Sequence, residues 1–338
     1  MDKGIPLDTS LAGGRHPIVR LRAGEGLSAQ RRRRQQIIDG LVEKVFAAAG
    51  GVVILFILLI FVFLAREGLQ AFRTIDPMRF IGAVTENVIT EQPEFTYTWQ
   101  PVSEVPKYSL LPLMAGSALI AIPATLFSGF VGLACGIFLS EIASRRFREI
   151  VKPGMELLAG IPTVIIGFFI LVSVASLVQD AFHTSRRLNA FVGALGVSVV
   201  IIPTIATLVE DAMRAIPREI REGAYALGAT RWETIRRVLV PSSMSGIAAA
   251  LILGMGRALG ETMIVLMVTG NAAVLTFDIF KSIRTMTATL AAELGEVAQG
   301  SEQYHALFLV GLVLFVFTFF LNMAAEIVIS RMRRRLTL

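Results

Sequence analysis

Phe46-Ala-Ala-Ala-Gly-Gly-Val-Val-Ile-Leu-Phe-Ile-Leu-Leu-Ile-Phe-Val-Phe-Leu-Ala65 runs for twenty residues without one charged side chain. Wound as a helix, a run of that length matches the roughly 30 Å hydrocarbon core of a bilayer. Five further segments read the same way: Leu110–Leu139, Leu157–Val178, Ala190–Val209, Ile247–Gly270 and Ala306–Ile329. The predicted fold class is an all-α integral membrane protein with six transmembrane helices. The Leu110–Leu139 run is longer than one span needs, so it tilts, bends at Pro123 or divides in two. Pro162 and Pro203 lie inside the next two segments, where neighbouring protein or water can satisfy the freed carbonyls.

Composition agrees. The 338-residue chain is 54% hydrophobic and 17% charged, whereas a soluble domain carries about 25% charged residues. Its net charge of +6 would suit nucleic acid, but the basic residues lie between apolar runs and follow no groove-reading element. They instead set an orientation. Most of the 32 Lys and Arg residues fall on the side of the two termini, so both termini are expected in the cytoplasm. The expected organisation is a cytoplasmic tail (1–43), a first span (44–65), an outer loop (66–108), a helical core (109–330) with a cytoplasmic loop (214–241), and a basic C-terminus (331–338). The tail is polar and Gly-rich, so no cleavable leader is expected in it. Its outer-loop counterpart, with Pro77, Pro93, Phe95, Tyr97, Trp99 and Pro101, is read as a small ordered elaboration or a hairpin. Thr287–Glu293 is helix-friendly and either re-entrant or laid along the interface.

Between the fourth and fifth spans stands Ile216-Pro-Arg-Glu-Ile-Arg-Glu222-Gly-Ala-Tyr-Ala-Leu-Gly228-Ala-Thr-Arg-Trp232-Glu-Thr-Ile-Arg-Arg-Val238-Leu-Val-Pro241. Pro217 suits a helix start, and Glu219 and Glu222 suit its positive end. Gly228 suits a break, after which Thr230 caps a second short helix from Arg231 to Val240. The reading is an amphipathic helix pair that docks into a partner; DNA recognition does not fit a unit set between two membrane spans.

This stretch resembles the loop of the membrane subunits of bacterial ABC importers, whose pattern is Glu-Ala-Ala, three residues, Gly, nine residues, then Ile-x-Leu-Pro. Glu222, Gly223, Ala224, Gly228 and Val238-Leu239-Val240-Pro241 stand at that spacing, with Gly223 in place of the first Ala and Val in place of Ile and Leu. The resemblance implies a coupling helix whose contact residues with the ATPase are Glu222, Gly223, Ala224 and Gly228. The chain has no GxxxxGK[ST] phosphate loop, so ATP hydrolysis would belong to a separate chain.

Tyr108–Gly116, Glu156–Thr163, Gly256-Arg-Ala-Leu-Gly-Glu-Thr-Met263 and Met267–Asn271 are similar to the PstC-type phosphate permeases. That likeness implies a PstA-type permease as partner, two ATPase subunits, an extracytoplasmic phosphate-binding protein and a place in the bacterial inner membrane. Independently, Arg257 and Glu261 are the charged residues set well inside a span, four apart and so expected on one helical face. An intramembrane charge is costly and is kept where it faces a cavity or a partner. Arg matches phosphate oxygens through its planar fork of donors. Two readings follow: a substrate path with Arg257, Glu261 and Thr262, or an Arg–Glu pair that only fixes packing.

Other chemistry finds no support. His16, His183 and His305 lack ligand spacing, so no metal or other cofactor is expected. Cys135 reads as a packing residue, Glu293 and Glu296 as a solvated face, and no catalytic constellation converges. The rivals that remain are an importer permease for another solute, such as sulfate, molybdate or an amino acid, and a membrane scaffold or sensor that binds an ATPase without carrying solute.

Overall fold

The structure, a computed structural model, describes residues 25–86 and 93–336. The chain divides into two units, Met1–Ile60 and Phe61–Leu338. The first unit holds most of α1 (Glu25–Thr74), whose side chains from Val52 to Ile60 are all exposed, as suits a surface turned to lipid. Of the tail expected at 1–43, residues 1–24 lie outside the described residues, and the remainder is already helical.

In the second unit the outer segment is ordered. A 3₁₀ turn, Pro77–Phe80, begins where the Asp76 carboxylate accepts a hydrogen bond from the Met78 amide at 2.9 Å. Two antiparallel ribbons follow, β1 (Ala83–Glu86) with β2 (Pro93–Thr96) and β3 (Trp99–Gln100) with β4 (Lys107–Tyr108). Trp99 and Tyr108 are buried edge to face, with ring centroids 5.8 Å apart, so the hairpin reading holds around an aromatic core.

Among the described residues five helices are long and apolar enough to cross a membrane, and six if the bent pair Arg231–Ser242 and Met244–Gly260 counts as one. α2 (Leu111–Ile137) passes Pro123 as one piece and ends in a π-helical turn, Phe138–Ile142. It packs against α6 (Ala190–Arg214), whose Val200, Ile201, Ile205, Ala206 and Val209 form the centre of the bundle. Small residues permit the approach: a Cβ on Gly132 would stand 2.8 Å from Ile205, and one on Gly136 2.7 Å from Val209. The last span belongs to α13 (Glu302–Leu336).

Two predicted spans are corrected. The third does not begin at Leu157: α3 (Arg145–Gly160), with no buried residue, ends there, and the chain turns at Ile161-Pro162. The span is Thr163–Phe182, built from α4 (Thr163–Phe169), a π-helical turn (Ile170–Val174) and α5 (Ala175–Phe182). A proline in extended linkage disfavours helix in the residue before it, which places the break. The fifth, expected as Ile247–Gly270, is α10 (Met244–Gly260) and α11 (Met263–Val268), parted at Glu261-Thr262.

Where α6 leaves the bundle, Glu210 is fully buried among three cations: Lys152 at 3.2 Å, Arg214 at 3.5 Å and Arg148 at 3.8 Å. Lys152 also reaches Asp211 at 2.9 Å. Burial alone would lower the Lys152 ammonium, but its contacts with Asp211 and Glu210 outweigh that and raise it. α3 is thereby fastened to α6 by charge rather than by an apolar face.

Candidate functional site

The break in the fifth span carries the predicted path residues. α10 stops at Gly260, and Glu261, extended at φ −67° and ψ 128°, is its C-terminal cap. The Glu261 carboxylate folds back on the start of α11, accepting from the amides of Thr262 at 3.2 Å and Ile264 at 3.4 Å. Free amides at a helix start favour such an acceptor. The Thr262 hydroxyl donates to the Gly260 carbonyl at 3.1 Å. From α12 (Met286–Glu293), the Thr287 hydroxyl donates to the Glu261 carbonyl at 2.8 Å, so a second element holds the break open.

The expectation that Arg257 and Glu261 share a helical face is therefore corrected, because the helix ends between them. Arg257 turns to α6, where its Nη1 donates to the Thr204 hydroxyl at 3.1 Å. Among the described residues it makes no ion pair within 4 Å, and its side chain is half-buried. The packing-pair reading loses its geometry. What remains is a guanidinium within a span whose other donors find no partner among the described residues, an arrangement suited to an oxyanion.

The second predicted site is the helix pair. Pro217 precedes α7 (Arg218–Ala226), none of whose residues is buried. Gly228 takes φ +83°, and a Cβ there would meet nothing within 4 Å; the turn needs glycine for its backbone, not for space. Its amide donates to the Tyr225 carbonyl at 2.9 Å and the Ala229 amide to that of Ala224 at 3.1 Å, closing α7. Thr230 and Glu233 then form a reciprocal capping box for α8 (Arg231–Thr234). A π-helical turn, Ile235–Leu239, and α9 (Val240–Ser242) lead to α10. Of the predicted contact residues, Glu222, Gly223 and Gly228 are exposed and Ala224 half-buried.

The pair has two faces. Thr234, Ile235 and Leu239 are buried beneath it. At its tip Leu227 is 90% and Trp232 62% exposed, with Tyr225 also out. Large apolar groups presented by a polar segment mark a surface that expects cover. Sequence reasoning passed over Leu227 and Trp232; the signal was their size in an otherwise charged loop.

Outside these two places, Glu293 is corrected. It is no solvated group: Arg284 reaches its carboxylate at 2.6 Å, Gln303 at 3.0 Å and the Trp99 indole N–H at 3.1 Å. It ties the β3–β4 ribbon to α12 and α13 beside a cleft of about 890 Å³, while Glu296 on the rim is exposed. Among the described residues no three His, Cys, Asp or Glu side chains are grouped to hold a metal ion.

A bundle of apolar spans, one of them broken beside a cation with no ion pair among the described residues, and an exposed helix pair at one end define a membrane permease subunit worked by a partner. Residues 132–334, more than half of the chain, match the family described as binding-protein-dependent transport system inner membrane component, and the chain belongs to that family. It is 35% identical over 274 residues to the probable ABC transporter permease protein YqgH of Bacillus subtilis, covering 80% of this chain and 84% of that one. It is 34% identical over 257 residues to the phosphate transport system permease protein PstC of Mesorhizobium japonicum, covering 70% and 78%. Among solved structures, the inward-facing MetNI methionine ABC transporter matches with a TM-score of 0.50 at 20% identity, over 65% of this chain and 96% of that one. The bacterial alginate ABC transporter matches with 0.50 at 18% identity, over 67% and 78%. Those two share the fold.

Proposed function

We propose that the chain is a PstC-type subunit of an ABC importer in the bacterial inner membrane, and that it carries inorganic phosphate along an interface with a second, PstA-type permease. Arg257 carries this reading: a guanidinium within a span, held by Thr204 alone among the described residues, offers donors to a phosphate that crosses. Relatives named as phosphate permeases support the substrate. Glu261 and Thr262 shape the path by holding α10 and α11 apart rather than by gripping Arg257.

The α7–α8 pair faces the cytoplasm in this reading and seats in an ATPase chain, with Leu227 and Trp232 entering the contact beside Glu222, Gly223, Ala224 and Gly228. Two ATPases and an extracytoplasmic phosphate-binding protein complete the assembly. Phosphate keeps a donor proton near neutral pH that sulfate lacks, so the test is competition. Vesicles holding the reconstituted complex are expected to take up radiolabelled phosphate with ATP, undiminished by a hundredfold excess of sulfate. Equal competition by sulfate would contradict the phosphate assignment and leave the permease.

A further inference from the structure

Three spans end near the helix pair, and only two are joined to it by the chain itself. α6 runs into α7 through Ala215–Pro217, and α9 runs into α10. Among the described residues, the hydrogen bonds and ion pairs given from the end of α2 to the pair fall on Glu141. Glu141 lies in the π-helical turn that closes α2, with its side chain 9% exposed. Arg221 of α7 meets the Glu141 carboxylate at 3.0 Å. Arg231 of α8 donates to the Glu141 main-chain carbonyl. Ser140 fixes the same carboxylate by donating to it at 2.8 Å. Both helices of the pair therefore hold the end of α2 at a single position.

Arg221 does more than meet a carboxylate. Its Nη1 donates to the Ile216 carbonyl at 2.6 Å and its Nη2 to the Met213 carbonyl at 2.7 Å. Met213 lies in the last turn of α6, where a cation is favoured, and its carbonyl also accepts from the Ile216 amide at 3.3 Å; Ile216 stands just beyond that helix. One guanidinium thus clasps the ends of α6 and α2 together and stands on the helix that would move with the ATPase. Upstream, α2 and α6 are locked at Gly132 and Gly136. Midway along them, α2 touches Met255 through Thr125 at 3.4 Å, and α6 holds Arg257 through Thr204.

We infer that the Arg221–Glu141 pair is the strut that passes displacement of the helix pair to α2, so that α2 and α6 move as one body against the Arg257 site. Both are positioning residues: neither touches the solute. The inference rests on the reading that α7–α8 docks the ATPase. A packed close approach transmits a push, but a pull needs a tie, and among the described residues Glu141 supplies a charged one to α7.

The test is the number of phosphates moved per ATP hydrolysed by the full reconstituted complex. Glu141→Gln keeps the size and an acceptor and removes the charge; Glu141→Asp keeps the charge on a shorter arm. The ratio is expected to fall at least fivefold in Glu141→Gln and to recover in part in Glu141→Asp, with the ATPase still copurifying. An unchanged ratio in Glu141→Gln would overturn the inference. That holds also where uptake and hydrolysis fall together, and loss of the ATPase from the purified complex would overturn it too, since each makes Glu141 a structural staple. The docking reading fails separately: ATPase retained at full yield by Leu227→Asp would contradict it, whatever the ratio in the Glu141 variants.

Discussion

Arg257 and Glu261 stand four residues apart and do different work. Among the described residues Arg257 commits one donor, to Thr204, while Glu261 spends its carboxylate on the start of α11. Replacing Glu261 by Ala removes that acceptor, which by analogy with helix caps costs about 1 kcal/mol. Thermal unfolding of the purified complex is expected to show a small loss of stability, while the affinity for phosphate follows Arg257. The charge at Arg257 was legible because an arginine amid apolar residues has few reasons to be there. The role of Glu261 was not. The spacing argument assumed an unbroken helix, and in Gly260-Glu261-Thr262 only the glycine hints at a break, which Thr287 fixes from another element. Glu210 escaped notice for a similar reason: it lies at a span's edge, and its burial depends on the folding back of α3.

At the scale of elements, the start, break and cap of the helix pair were readable, because caps and turn residues act locally. The π-helical turn Ile235–Leu239 within the expected second helix was not, nor was the part of Glu233 in its cap. Pro217, Gly228 and Thr230 each do in the structure what their types suggest. Gly228→Ala forces a Cβ onto φ +83°, costing about 1–2 kcal/mol. The variant is expected to retain less ATPase on copurification while its spans remain folded by circular dichroism. α3 was misread because its apolar face merged with the next apolar run, and the division at Ile161-Pro162 reads equally well as a kink. The lysine side of its fastening withstands alkaline pH. Lys152 is raised above the ordinary lysine value of 10.5, so the stability it contributes is fully present below 10.5 and fades only as pH climbs through the higher folded value.

The whole molecule was legible as six spans, and their grouping was not. Which glycines meet which helix depends on contacts between distant residues: Gly132 and Gly136 of α2 lie on Ile205 and Val209 of α6. Gly136→Leu would drive those helices apart, since even a Cβ would stand 2.8 Å from the Ala206 carbonyl. Poor recovery of folded complex in detergent is expected, by size-exclusion chromatography, against near-normal recovery for Gly154→Ala, where a Cβ meets nothing within 4 Å. The outer ribbons, the Glu293 knot and the Glu210 cluster fix the two ends of this unit, and the span that breaks at Glu261 lies between them. On the proposed reading, transport is a movement of α2 and α6 around Arg257. The most direct measurement is ATP-dependent uptake of radiolabelled phosphate into vesicles holding the reconstituted complex, for the wild type and for Arg257→Ala. Losing charge-assisted hydrogen bonds of about 1.5–3 kcal/mol predicts uptake reduced roughly ten- to hundredfold, with assembly unchanged. Equal uptake by both would contradict the account and leave Arg257 a packing residue.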